Sequence, residues 1–221
     1  MALRTLDYLG DVAGARVFVR ADFNVPLEDG RVADDMRIRA TVPTLRELLD
    51  RGAALVVASH LGRPEGEPRD DLRLGPVADT LGELLGVEVM ALDETIGDGP
   101  EATCAHIEPG EVVLLENLRF HPGEEANDVR FAGQLAELAD TYVNDAFGAA
   151  HRAHASVGAL PDLMRASGRQ TVAGRLLQRE VEVLGRLLSD PERPYVAVLG
   201  GARSRTSSAC STRSSSVSTR C

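Results

Sequence analysis

Four short apolar runs, each ending in a knot of polar residues and each separated from the next by a helical stretch, constrain this chain most. The runs are Arg16 to Arg20, Leu55 to Ala58, Val112 to Leu115 and Thr141 to Val143. Their polar ends read Val19-Arg-Ala-Asp-Phe-Asn-Val-Pro26, Ala58-Ser-His-Leu-Gly-Arg-Pro64, Leu114-Leu-Glu-Asn-Leu-Arg-Phe120 and Val143-Asn-Asp-Ala-Phe-Gly-Ala-Ala-His-Arg-Ala-His-Ala-Ser156. Runs without apolar/polar alternation fit strands buried on both faces, as in a parallel sheet covered by helices. In an open α/β sheet, ligands bind outside the carboxyl ends of the strands. Polar residues far apart in sequence are therefore expected to meet in one crevice.

Helical periodicity fills the intervals. Ala40 to Arg51 places Leu45, Leu48 and Leu49 on one face, with Pro43 expected in the first turn. Leu74 to Leu85 is closed by Gly86, and Asp128 to Ala139 follows the same logic. Val87 to Met90 reads as a further short strand. The alternation predicts the α/β class, with crossovers of right-handed sense. After Ser156 a stretch containing Gly and Pro leads to a long helix predicted over Val172 to Leu188, then to a buried strand from Pro194 to Leu199 ending in Gly200-Gly201. From Arg203 to Cys221 only Ser, Thr, Arg and Cys occur, apart from one Ala and one Val, which cannot build a core. The expected division is 1–170 as an α/β binding domain, 171–202 as a connecting helix with the first strand of a second domain, and 203–221 as a disordered tail that resembles a shifted reading frame or truncation.

Composition narrows the function classes. A formal charge of -10 argues against nucleic acid or an anionic membrane as the main partner, although a local basic cleft is compatible with an acidic protein. No apolar run reaches membrane-spanning length and Met1 to Gly10 lacks a signal-peptide pattern, so a cytoplasmic location is expected. All 24 basic residues are arginine. The three cysteines show no metal or redox spacing and read as free thiols, and His151 with His154 lacks a completing ligand set, so no metal site is expected. Neither a Gly-x-Gly-x-x-Gly nor a Walker phosphate loop is present, nor a Gly-x-Ser-x-Gly elbow.

The candidate site residues are Asp22 and Asn24 after the first run, His60, Gly62 and Arg63 after the second, and Arg119 and Arg152 after the later two, with Arg37 added. Any one of them alone reads as a turn former or a solvated charge. One His and four Arg beside an Asp and an Asn suit a small molecule carrying phosphate and carboxylate, whose oxygens accept forked guanidinium bonds.

Arg20-Ala-Asp-Phe-Asn-Val-Pro26, Asp34-Asp-Met-Arg-Ile38, Ser59-His-Leu-Gly-Arg-Pro64, Leu115-Glu-Asn-Leu-Arg-Phe120, Gly123-Glu-Glu125 and Asn144-Asp-Ala-Phe-Gly148 with His151-Arg-Ala-His-Ala155 together resemble the phosphoglycerate kinase family, in order, as far as Gly200-Gly-Ala202. The resemblance implies a Rossmann-like N-terminal domain, a parallel sheet sandwiched by helices, with a second domain largely missing. It implies the glycolytic transfer of a phosphoryl group between 1,3-bisphosphoglycerate and ADP, giving 3-phosphoglycerate and ATP. It places substrate at Asp22, Phe23, Asn24, Arg37, His60, Leu61, Gly62, Arg63, Arg119 and Arg152, with Arg37 facing the transferring group. Gly200 and Gly201 become the remnant of a Mg-ATP or Mg-ADP site, and a monomer is expected. Where the family continues Lys-Val-Ser-Asp-Lys into a nucleotide domain, this chain reads Arg203-Ser-Arg-Thr-Ser207. An inactive fragment, or a non-catalytic phosphoglycerate-binding module, is therefore the expectation for these residues alone.

Overall fold

In the computed structural model, which describes residues 3–189, the expected alternation of strands and helices is present. The elements run β1 (Arg16–Arg20), a hairpin of β2 (Leu27–Glu28) and β3 (Arg31–Val32), α1 (Met36–Asp50), β4 (Ala54–Ala58), α2 (Gly75–Leu85), β5 (Val89–Ala91), α3 (Asp98–His106) and β6 (Val112–Leu114). They continue with α4 (Pro122–Glu125), α5 (Val129–Glu137), β7 (Thr141–Asn144), α6 (Ala159–Ala166), β8 (Thr171–Ala173) and α7 (Arg175–Ser189). Six strands form one sheet in the order β5-β6-β4-β1-β7-β8, and all of its pairings are parallel.

The apolar runs explain this sheet residue by residue. Successive side chains of a strand point to opposite faces. Val17 and Val19 of β1 join Leu55 and Val57 of β4 on one face, packed with Ile38, Leu45 and Leu48 of α1 and with Val77 and Leu81 of α2. Phe18, between those valines, joins Val56 and Tyr142 on the other face, against Cys104 of α3, Phe131 and Leu135 of α5, and Leu160 and Met164 of α6. Both faces are covered, so no strand can alternate polar with apolar residues. The register aligns Arg20 with Ala58 and with Asn144, and Val57 with Leu114, so the strand ends lie at one level. The connection from β1 leads to β4 on one side and that from β7 leads to β8 on the other, which opens a crevice beyond their carboxyl ends.

Several expectations change. Helix α1 begins four residues before Ala40, because Asp34 Oδ1 accepts the Met36 amide at 2.9 Å and Arg39 pairs with Asp35 at 2.7 Å. Pro43 therefore lies inside the helix, where it offers no N–H to the preceding turn. The long helix expected from Val172 starts at Arg175; Thr171–Ala173 instead pairs with β7 as the edge strand. The boundary expected after residue 170 thus falls inside the sheet, and residues up to Gln178 form one compact unit. The unit beginning at Arg179 is described only to Ser189, so the predicted strand over 194–199, Gly200, Gly201 and the tail lie outside the described residues.

One buried acid ties the start of α7 to the sheet. Asp145, just after β7, accepts the Leu176 amide at 2.9 Å and the Leu177 amide at 3.2 Å through Oδ1, while its buried Oδ2 has no partner among the described residues. Burial pushes its carboxyl up to about 6, against hydrogen bonds from Thr44 and from the Leu177 and Leu176 amides, which pull it down. A carboxyl that binds its proton more tightly when folded stabilises the fold fully below its unfolded value of 3.8, and that contribution is lost as pH rises through about 6. Each pH step of one between those two values is worth roughly 1.4 kcal/mol, so wild type should lose about 3 kcal/mol relative to Asp145→Asn across this window. Denaturant titrations of both proteins at pH values on either side would check it. Parallel stability profiles would contradict it.

Candidate functional site

The loops leaving β1, β4, β6 and β7 converge as the strand register requires, around a cavity of about 260 Å3. It is lined by Asp22 and Asn24 from the first loop, Arg37 from the first turn of α1, and His60, Gly62 and Arg63 from the second loop. Arg119 from the third loop and Gly148, Ala149 and Arg152 from the fourth complete it. Eight of the residues expected at a site are thus brought together. The side chains of Phe23 and Leu61 are not among the lining: both are apolar, and both pack in the core beneath the loops. His154 is buried, with Nδ1 at 3.8 Å from Glu124, and Asn144 turns its Oδ1 onto the Ala146 amide, so neither reaches the cavity. Gly148 and Ala149 carry no polar side chain that would single them out in the sequence. A Cβ on Gly148 would stand 2.5 Å from Asp22 Oδ2, so a side chain there would push the Asp22 carboxylate from its place beside Arg37.

Buried polar side chains fix the loops to one another. Ser59 Oγ accepts the Phe23 amide at 2.8 Å and donates to the Ala21 carbonyl at 3.0 Å. Asn117, fully buried, accepts the Leu61 and Arg119 amides and donates to the Leu61 and Leu72 carbonyls at 2.8 and 3.0 Å. Glu116 receives the Leu74 amide at 3.0 Å and an Arg73 guanidinium at 3.1 Å. Asn24 Oδ1 accepts the Gly62 amide at 2.9 Å, and Arg119 Nη1 donates to the Gly62 carbonyl at 2.7 Å. Gly62 itself has a φ of 62°, with Leu72 packed where a side chain would go. Ser59 and Glu116 belong to the polar ends of the apolar runs, but nothing in the sequence distinguishes a loop-fixing residue from a ligand-facing one.

The site is cationic inside an acidic chain. Among the described lining residues Asp22 is the one carboxylate, and it pairs with Arg37 at 2.7 Å. Arg119 is 5% exposed and faces Glu125 at 3.2 Å; burial, reinforced by the nearby Arg152 and Arg20, pulls its guanidinium below the usual arginine range, while Glu125 opposes the shift. Burial together with Arg20, Arg119, His154 and Arg152 pushes the His60 imidazole down to about 2, so the ring is neutral. Four guanidiniums and a neutral imidazole around a small crevice can bind a compact polyanion through charge-assisted, partly bidentate hydrogen bonds.

Fold and cavity together define a parallel α/β domain with an anion-binding crevice at the carboxyl edge of its sheet. A family profile described as phosphoglycerate kinase matches residues 6–211. The phosphoglycerate kinase of Moorella thermoacetica is 56% identical over 203 residues, covering 92% of this chain and 50% of that protein. That of Anaeromyxobacter is 53% identical, covering 92% and 51%. Among solved structures, phosphoglycerate kinase from Coxiella burnetii superposes with a TM-score of 0.77 at 36% identity, covering 93% of this chain and 50% of that one. The Pyrococcus horikoshii enzyme gives 0.80 at 31% identity, covering 92% and 50%. The chain belongs to the phosphoglycerate kinase family, and it spans about half the length of the curated relatives it matches.

The loop frame has a measurable weight. Asn117→Ala removes three buried hydrogen bonds and one part-buried one and leaves their backbone partners unsatisfied, which should cost roughly 2 to 4 kcal/mol. A lower denaturant midpoint at unchanged slope would show this. An unshifted midpoint would mean that water replaces the amide without loss.

Proposed function

We propose that this chain binds 3-phosphoglycerate, or its 1,3-bisphosphoglycerate form, as the phosphoglycerate-binding half of a phosphoglycerate kinase. The observation that carries this reading is the clustering of Arg37, Arg63, Arg119, Arg152 and His60 around one cavity with a single acid. At about 260 Å3 the cavity is slightly below the usual range of roughly 300 to 1,000 Å3 for ligand pockets, which suits a three-carbon anion better than a nucleotide. Arg63, Arg119 and Arg152 hold the non-reacting phosphate and His60 donates to it. Asp22 and Asn24 orient the hydroxyl and carboxyl region, and Arg37 at the rim faces the transferring group.

In phosphoryl transfer of this kind the protein works by positioning and by stabilising spread charge. The attacking carboxylate is already ionised, so no general base is required. The transfer also uses Mg-ADP or Mg-ATP, and Gly200 and Gly201, the residues expected to meet that group, lie outside the described residues. The described residues carry the phosphoglycerate side alone, and no step through the nucleotide is assigned to them.

Calorimetric titration with 3-phosphoglycerate should give saturable binding, and a coupled ATP assay on the same 221-residue chain should show no turnover. Arg63→Ala and Arg152→Ala should each weaken binding by about 2 kcal/mol or more if the charge is desolvated against the ligand. Arg37→Ala should weaken it less than either, because that guanidinium is assigned to the reacting end. Wild-type protein that is folded yet shows no heat and no thermal stabilisation at saturating ligand would overturn the reading.

A further inference from the structure

The largest fully buried side chain among the described residues is a cation that does not touch the cavity. Arg20, the last residue of β1, is 1% exposed and absent from the cavity lining. Its Nε donates to Ser156 Oγ at 2.8 Å and its Nη1 to the Ala21 carbonyl. Ser156 donates its hydroxyl to Glu124 Oε1 at 2.5 Å and its amide to Oε2 at 2.9 Å. Glu124 is fully buried and stands 4.0 Å from Arg20, so it balances the charge without contact to solvent. The Ser156 carbonyl is held in turn by the Tyr142 hydroxyl at 2.8 Å. The guanidinium is therefore fixed in orientation on three sides.

Its remaining nitrogen, Nη2, lies 3.1 Å from His60 Nδ1. A guanidinium has five donors and no acceptor, so Nδ1 must accept. An imidazole whose Nδ1 accepts carries its proton on Nε2, and it cannot take a second proton without breaking this contact. The His60 ring lines the cavity, and its Nε2 has no protein partner among the described residues.

We propose that Arg20 is a positioning residue for the site: it locks His60 as the Nε2–H tautomer, so the ring offers the bound anion a fixed, uncharged hydrogen-bond donor. The site then recognises an anionic oxygen with one directional N–H set among cations. Arg119 and Arg152 on the cavity side, and His154 and Glu124 beneath, are the other ionisable groups whose fields reach this cluster. The role of that N–H in binding rests on the functional reading above; the tautomer does not.

A two-bond 1H–15N correlation spectrum of ligand-free wild type, labelled at histidine, separates the tautomers at about pH 7. The His60 signal should show a protonated Nε2 and an acceptor Nδ1. A protonated Nδ1, or an imidazolium pattern, would overturn the proposal. Arg20→Gln, if it folds, should convert that signal to a mixture of tautomers. Because loss of a buried cation can unfold the chain, two variants at the ring supply an independent comparison. His60→Gln places an amide N–H2 near the position of Nε2, and His60→Asn places it near Nδ1. Binding of 3-phosphoglycerate should be about tenfold tighter for the glutamine variant, the size of one charge-assisted hydrogen bond. Equal affinities, or tighter binding by the asparagine variant, would count against the Nε2 donor. A wild-type chain with the Nε2–H signal and no phosphoglycerate binding would overturn the functional reading and leave the tautomer assignment in place.

Discussion

Two-sided burial of a parallel sheet governs everything else in this molecule. Strand backbones satisfy one another laterally, and side chains on both faces must be apolar, so β1, β4, β6 and β7 have no room for chemistry along their lengths. Only the residues at the strand ends and beyond can be polar. Since the register aligns Arg20, Ala58 and Asn144, those residues emerge at one level and next to one another. The crevice is thus a geometric consequence of a core that admits no polar groups.

That edge would be loose if its loops were held by water alone. Instead the loops are joined by Ser59, Asn117, Glu116 and Glu124, each buried and each hydrogen-bonded. A buried polar group without partners costs more than its hydrogen bond would contribute, so a network of this kind rigidifies only when it is complete. Here it is nearly complete: among the described residues, the buried side-chain atoms without a partner are Thr41 Oγ1, Arg119 Nε and Asp145 Oδ2. Arg119 Nε still faces Glu125 at 3.2 Å. Asp145 stands at the opposite end of the loop that carries Arg152, where the same strand end meets the start of α7.

The sheet is legible in the sequence because a short apolar run of three to five residues with polar ends has few other uses. Val17 to Val19, Leu55 to Val57 and Val112 to Leu114 all declare themselves this way. Helix α3 does not, since Asp98 to His106 buries only Pro100 and Cys104 and so has little apolar periodicity. The β2–β3 hairpin does carry a local signal: Asp29-Gly30, both at positive φ, is the turn chemistry of a two-residue hairpin. Strand β8 is hidden in the following helix because Val172 continues the spacing of Leu176, and only pairing with β7 decides against it. For the site, residue types and strand ends locate the lining cations, whereas Phe23 and Leu61 show that a matched stretch mixes cavity residues with core anchors. Arg20 reads in sequence as no more than the end of a strand, because nothing local distinguishes a buried arginine from a solvated one.

The four lining arginines are not equivalent, and the difference bears on how an anion would be held. Arg119, 5% exposed, is already directed by the Gly62 carbonyl, so little conformational entropy remains to be lost when a ligand arrives. Arg37 is 54% exposed and paired with Asp22, an interaction of the kind that contributes only about 0 to 1 kcal/mol. An incoming anion can therefore draw Arg37 from Asp22 at small cost, whereas it must meet Arg119 where Arg119 already stands. The interior of the crevice is built to recognise and its rim to respond. The proposed function assigns the reacting end of phosphoglycerate to Arg37, the side on which a guanidinium remains free to follow charge as it moves.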